Sequence, residues 1–222
     1  MSNSDPHHGA ELKLGEPRWL EWTRAMLGIA QNGLAFTRDT FDRERFEALQ
    51  ALAIEIMSEH SQTPPSFIAD LFRGESGYAT PKIDVRAATF SQAGEILMVR
   101  EAADAGRWTL PGGWADVNMT TAESVVKEVI EESGYLVDAY KLAAVWDRTR
   151  RNHPAGVFSC AKMFFMCRLI GGAPQAGTET TEVGWFAQDK VPVDLSLARV
   201  LPEQIDRMFA HYAEPGLPTD FD

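Results

Sequence analysis

Cysteine is scarce in this chain: 222 residues hold two, Cys160 and Cys167. Two thiols cannot build the multi-bridge framework that staples small secreted domains. Both fall in one apolar run that reads as a strand, and their separation is odd. Side chains alternate between the faces of a strand, so these two cannot pair within it, and each reads as a small core hydrophobe. Basic residues are also few, 21 against 32 acidic ones, for a formal net charge of −11. A binder of duplex nucleic acid needs a basic face for phosphate contacts, so no duplex DNA partner is expected. Long apolar runs are missing as well. No stretch is long enough to span a bilayer, and the opening Met-Ser-Asn-Ser-Asp-Pro-His-His-Gly has no apolar signal segment. The expectation is a cytoplasmic protein without a membrane partner. His7, His8, His60 and His211 show no zinc-ligand spacing. There is no internal repeat and no low-complexity tract.

What is present is a 45% hydrophobic chain, ample for a core and long enough for one large domain or for one plus a small one. Residues 1–17 read as a flexible tail and 215–222 as a C-terminal one. From Pro17, which suits a first helical turn, Trp19, Leu20, Trp22, Met26, Leu27, Ile29 and Ala30 mark a helix ending near Asn32-Gly33. Asp42 opens a second, with Phe46, Leu49, Leu52, Ala53 and Ile56 at helical spacing. Gln62-Thr-Pro-Pro65 breaks it, and Phe67, Ile68, Leu71 and Phe72 make a short third. A unit this small, residues 18–75, needs a partner surface for its apolar side chains. Trp19 and Trp22 read as packing or dimer contacts. The expected role is assembly, as a homodimer through these helices.

After Gly77 the period changes to two. Strands are expected at Ile83–Phe90, Ile96–Val99, Trp108–Leu110, Leu136–Trp146, Val157–Leu169 and Val183–Phe186, with Gly171-Gly172 ending the fifth. A last helix begins at Pro202 and buries Ile205, Met208, Phe209 and Tyr212. Mixed strands around a central helix make residues 76–214 an α+β domain, or an α/β/α sandwich with a mixed sheet.

The central helix carries the chemistry. Thr120-x-x-Glu123 is a capping box, Val126, Val129 and Ile130 form an apolar stripe, and Gly134 suits a left-handed C-terminal residue. Glu128, Glu131 and Glu132 stand at i, i+3 and i+4, within reach of one another. Packed carboxylates invite a hard divalent cation, and Mg²⁺ commonly shares one or two of them with substrate phosphates. The plainer reading is a solvated ladder of Glu123, Lys127 and Glu131. Pro111-Gly-Gly113 just before the helix is a turn where backbone can approach an ion closely.

These residues resemble the Nudix box, Gly-x5-Glu-x7-Arg-Glu-U-x-Glu-Glu-x-Gly-U with U bulky and apolar. The match runs from Gly113 through Lys127-Glu128-Val129-x-Glu131-Glu132-x-Gly134-Tyr135. Met119 replaces the first glutamate, and Lys127 replaces the arginine, keeping its charge without its bidentate fork. Leu110-Pro-Gly-Gly-Trp-Ala-Asp-Val117, together with Thr80-Pro-Lys-Ile-Asp-Val-Arg-Ala87, Val145-Trp-Asp-Arg148, Asn152-His-Pro154 and Glu179-Thr-x-Glu182-Val-Gly-Trp-Phe186, is similar to CDP-choline and ADP-ribose pyrophosphatases that carry a small helical N-terminal domain. The resemblance implies a Nudix sandwich and a Mg²⁺-dependent enzyme, with Mn²⁺ as a substitute. Its substrate would be a nucleoside diphosphate linked to another moiety, cut to a nucleoside monophosphate and a phosphorylated product. It implies Glu128, Glu131, Glu132 and the Gly112 carbonyl as metal ligands. Glu128, Glu131 or a glutamate outside the box would act on water, Glu182 ahead of Glu179. Arg86, Arg148, His153 and Glu179 are the candidate substrate contacts. Beside each stands a plainer role: a structural arginine, a solvated loop charge, a turn histidine. Two alternatives share the site, 3′–5′ trimming of RNA and a non-catalytic ligand sensor. The intact Glu-x-x-Glu-Glu favours the enzyme.

Overall fold

The computed structural model describes residues 16–222, so the tail expected at 1–17 lies, up to residue 15, outside the described residues. Three helices come first: α1 (Arg18–Phe36), α2 (Thr40–Ser61) and α3 (Pro65–Phe72). α1 does not stop at Gly33 but continues three residues further, to Phe36. α2 opens earlier than expected. Asp39 is its cap, accepting from the Asp42 amide at 2.9 Å, which puts Asp42 inside the first turn. Leu20, Leu27, Ala53, Met57 and Ile68 form the core of this unit, while Trp22, Ile29, Phe36, Phe41 and Phe67 stay exposed.

The rest is a seven-stranded mixed sheet: β1 (Lys82–Phe90), β2 (Ile96–Glu101), β3 (Arg107–Thr109), β4 (Tyr135–Asp147), β5 (Cys160–Gly172), β6 (Thr180–Phe186) and β7 (Asp220–Phe221). The order is β3-β2-β1-β5-β4-β7, and β6 pairs with β2. β1 runs parallel to β5 in an unbroken register from Lys82↔Cys160 to Phe90↔Arg168. Two helices cover the sheet, α4 (Thr121–Ser133) and α5 (Pro202–Ala213). Period two decides what each helix meets. Val85 and Ala87 pack with Val125 and Val129 of α4. Ala88 and Phe90 pack with Ile205, Met208 and Phe209 of α5. The result is an α/β/α sandwich behind a helical N-terminal segment.

Several local expectations are corrected. β5 begins three residues later than Val157 and runs through Gly171 and Gly172, which pair with Leu136 and Tyr135. Residues 220–221, read as part of a tail, form β7 beside Ala144 and Val145. Asp220 ties it down by accepting from Arg207 and meeting His211. His211, not Tyr212, takes the buried place on α5. Tyr212 remains 40% exposed and stacks on Phe90 at 4.2 Å between ring centroids. Cys160 and Cys167 are both buried, on opposite faces of β5, and burial pushes their thiols up to about 11 and about 12. No helix among the described residues is long and apolar enough to cross a membrane. The helical unit touches the sheet domain through Arg24, which donates to the Gly156 carbonyl at 2.7 Å. Asn32 accepts from the Ala79 amide at 2.6 Å, and Phe72 meets Phe158 at 5.2 Å between ring centroids.

Candidate active site

α4 is anchored at both ends and on one face. Thr120 Oγ1 accepts from the Glu123 amide at 3.1 Å while the Glu123 carboxylate accepts from the Thr120 amide at 2.8 Å. Gly134 closes the helix in the left-handed region, φ 73°. Val125 and Val129 on the sheet fix its rotation. At 100° per residue, Glu128 and Glu132 then stand close together on the side toward the Pro111-Gly-Gly113 turn, and Glu131 falls on the flank.

The turn is stitched to β1. The Ala87 amide donates to the Pro111 carbonyl and the Val85 amide to the Gly113 carbonyl, both at 2.8 Å. Between them, the Gly112 carbonyl accepts no hydrogen bond among the described residues. Gly112 has φ +145°, and a Cβ there would stand 2.0 Å from the Val85 oxygen. A Cβ on Gly113 would lie 2.7 Å from Glu128 Oε1. Gly112 is therefore required for the backbone to come this close to β1, while a side chain at Gly113 would force the Glu128 carboxylate to shift.

Glu128, Glu132 and Gly112 line a cleft of 550 Å³ with Asp84, Arg86, Glu101, Trp114, Asp116, Arg148, Lys162, Glu179 and Arg199. Glu132 is 5% exposed and accepts from the Gly112 amide at 2.9 Å. Burial pushes its carboxyl up to about 8, against the pull of Arg86 and of that amide. Burial also raises Glu128, and Arg86 opposes it. The floor is a buried ionic group. Arg86 Nε and Nη2 grip Asp84 at 2.9 and 2.7 Å, and Lys162 Nζ donates to the same carboxylate at 2.7 Å. Burial alone would raise Asp84, but Arg86 and Lys162 outweigh it and hold the carboxyl at about 2. Glu101, 3% exposed, pairs with Arg199 at 3.1 Å.

The structure thus gathers Glu128, Glu132, Gly112, Arg86, Arg148 and Glu179 around one cleft and leaves three expected residues out of it. Glu131 is exposed on the α4 flank, 3.7 Å from Lys127, whose ammonium is held at 2.6 Å by Asp116. That much of the surface ladder is real. Glu182, the expected first choice outside the box, faces Arg100 in an exposed pair at 3.4 Å. β6 is a strand there, and period two turns Glu182 away. His153 is buried, with Nδ1 at 2.6 Å from the Leu197 carbonyl and Nε2 at 3.2 Å from Gln204. Burial pushes it down to about 4, the mark of a neutral structural tie. Met119, where related boxes carry a glutamate, lines a groove with Ala122, Val126 and Ile130 on the outer side of α4 and not the cleft. Sequence reasoning missed Asp84, Lys162, Glu101 and Arg199. The first two carried a signal: Lys162 interrupts an apolar stretch of its strand, and Asp84 stands two residues from Arg86 on the same face. The other two carried none.

Among the described residues no three metal-binding side chains converge on one point. The donor set still fits Mg²⁺, which keeps several waters and takes one or two carboxylates plus substrate oxygens. Two half-buried or buried glutamates and an unbonded carbonyl supply the protein's share. Carboxylates raised by burial beside fixed cations in one cleft are the kind of arrangement that metal-assisted hydrolysis of phosphate compounds uses.

Comparison with known proteins agrees. Residues 80–208 match the NUDIX domain, and residues 17–72 match a UDP-X-like N-terminal oligomerisation domain. The chain is 41% identical over 207 residues to YjhB of Bacillus subtilis (strain 168), provisionally named an ADP-ribose pyrophosphatase, covering 93% of this chain and 98% of that one. Among solved structures, a UDP-X diphosphatase aligns with TM-score 0.58 at 32% identity, over 92% of this chain and 98% of its own. An ADP-ribose pyrophosphatase from Streptococcus suis 89-1591 aligns with TM-score 0.56 at 37% identity, over 64% of this chain and 100% of its own. The chain belongs to the Nudix family and is a hydrolase of pyrophosphate bonds.

Proposed function

We propose that the substrate is ADP-ribose, cleaved to AMP and ribose 5-phosphate, with Mg²⁺ held by Glu128, Glu132 and the Gly112 carbonyl. The observation that carries this reading is the cleft itself, where two glutamates and a free carbonyl face a floor of Arg86 and Lys162. Similarity along nearly the whole chain to a relative named for that substrate supports the nucleotide. Bound Mg²⁺, or Mn²⁺ in its place, neutralises phosphate charge and activates water. The chain's own residues do the rest. Glu132, tied to the Gly112 amide, holds the turn and the helix in register. Glu179, exposed at the cleft, is the group best placed to take a proton from water. CDP-choline is the second substrate reading, supported by the sequence patches around Arg86 and Arg148.

The test is a panel of ADP-ribose, CDP-choline, a UDP-linked sugar and a short RNA, each with Mg²⁺ and a coupled phosphatase, with products identified by mass. ADP-ribose should be cut fastest. Cleavage of RNA alone, or of nothing with either metal, would sink the reading. In the same assay Glu179→Gln should lower kcat by about 10²-fold, the scale of a lost general base. Glu182→Gln should leave it unchanged, since its exposed pair with Arg100 contributes little. Equal effects of the two would refute the assignment of the base.

The helical segment is read as a homodimer contact. Trp22, Ile29, Phe36, Phe41 and Phe67 are exposed there, an apolar surface that a second copy would cover. Sedimentation should give twice the 24.6 kDa chain mass; a monomer at micromolar concentration would contradict it.

A further inference from the structure

β5 carries a charge where its neighbours on the same face carry none. Lys162 lies between Cys160 and Phe164, 1% exposed. Its backbone is in register with Asp84 on one side and Trp146 on the other. An ammonium buried at such a place is costly unless its donors are satisfied. It has three N–H donors. One goes to Asp84 at 2.7 Å, and among the described residues the other two meet no acceptor. Its side chain lines the cleft that holds Glu128 and Glu132.

Arg86, the only other cation of the cleft that is buried to the same degree, differs in how tightly its plane is held. Its Nε and Nη2 are committed to Asp84, and Nη1 donates to the Leu110 carbonyl at 3.2 Å. A planar guanidinium held on two sides cannot turn toward an incoming group. Arg148 and Arg199 are more open, so their remaining donors can find water. Arg86 keeps two N–H groups without a partner, but in a plane that its three bonds hold fixed; Lys162 combines burial with two free donors on an ammonium that can rotate. A compact ammonium with rotatable N–H groups can meet an anion from several directions.

We propose that Lys162 is the phosphate-binding residue on the floor of the cleft. Its two uncommitted N–H groups take pyrophosphate oxygens from the side opposite Glu128 and Glu132. Asp84 and Arg86 are positioning residues that hold the ammonium in place. This gives Lys162 the phosphate contact that the resemblance suggested for Arg86, and it rests on the pyrophosphohydrolase reading. An anion entering a cleft lined by Glu128, Glu132, Glu101 and Glu179 needs a cation on the protein side as well as any metal, and Lys162 supplies it where solvent does not compete.

The probe is methylene bisphosphonate, which has two phosphorus groups and no cleavable bridging oxygen. Its binding to the full-length protein is measured by calorimetry with Mg²⁺. Lys162→Met should bind it at least about tenfold more weakly, the scale of lost charge-assisted hydrogen bonds. It should lower kcat/KM for the best nucleotide by a similar factor. Lys162→Arg should recover part of the binding. Melting should move little, because Asp84 keeps Arg86. If Lys162→Met is too unstable to measure, Lys162→Gln is judged by the same criterion. A variant that binds the bisphosphonate as tightly as wild type, or loses only thermal stability, overturns the assignment. Wild type that binds the bisphosphonate but cleaves no nucleotide overturns the hydrolase reading and leaves Lys162 as the anion site.

Discussion

Glu132→Gln should lower kcat by about 10²- to 10³-fold while leaving the fold intact, as expected when a group that organises transition-state charge is lost. The amide keeps the size of the carboxylate and can still accept from the Gly112 amide through its oxygen, so the turn has no reason to move. What goes is the negative charge facing the cleft. Thermal melts separate this from misfolding. In metal-free protein the Glu132 carboxyl binds its proton more tightly folded, at about 8, than at its ordinary 4.5. Wild-type stability therefore falls as pH rises between those values, because ionising the group costs more in the native state than in the unfolded one. Glu132→Gln removes that loss and should melt higher than wild type above pH 8. Mg²⁺ should raise the melting of wild type and do little for the variant, since only binding to the folded state stabilises it. Full activity of Glu132→Gln with Mg²⁺ would remove this residue from the site.

Gly112→Ala should cost more than about 3 kcal/mol of stability and give little folded protein. A Cβ at this position would sit 2.0 Å from the Val85 oxygen and 2.9 Å from Arg86 Cα. Both are backbone or Cα atoms of a central strand, with no flexible end to swing away. The φ of +145° adds strain that only glycine escapes. Relief would require the Pro111 and Gly113 carbonyls to leave β1, opening the sheet beside Arg86. Gly74→Ala is the control. It has open space where the methyl would go and no positive φ, and it should melt with the wild type. A folded Gly112→Ala with unchanged melting would show that the turn is built differently.

Much of this was legible in the residues because it rests on local chemistry. The capping box at Thr120, the left-handed Gly134 and the valine stripe specify α4 without reference to the rest of the chain. Alternation from Ile83 to Ala87, continued by an apolar end at Phe90, marks β1. The Leu-Pro-Gly-Gly turn and the Glu-x-x-Glu-Glu spacing mark the site and its class. Tertiary structure decided which of the glutamates enter the cleft. Spacing puts Glu128, Glu131 and Glu132 within reach of one another but cannot say which way the helix is rolled. Val125 and Val129 on the sheet settle that, leaving Glu131 on the exposed flank. Register decided the rest. The parallel pairing of β1 with β5 sets Asp84 opposite Lys162, residues far apart along the chain, and so makes a buried ionic floor from two charges that look isolated in the sequence. β6 likewise turns Glu182 outward while Glu179 stays at the cleft. The final strand formed because Asp220 finds Arg207 and His211 on α5, partners that no local pattern could announce. Side-chain type and short-range spacing are properties of the sequence; helix roll and strand register are set by what packs against them.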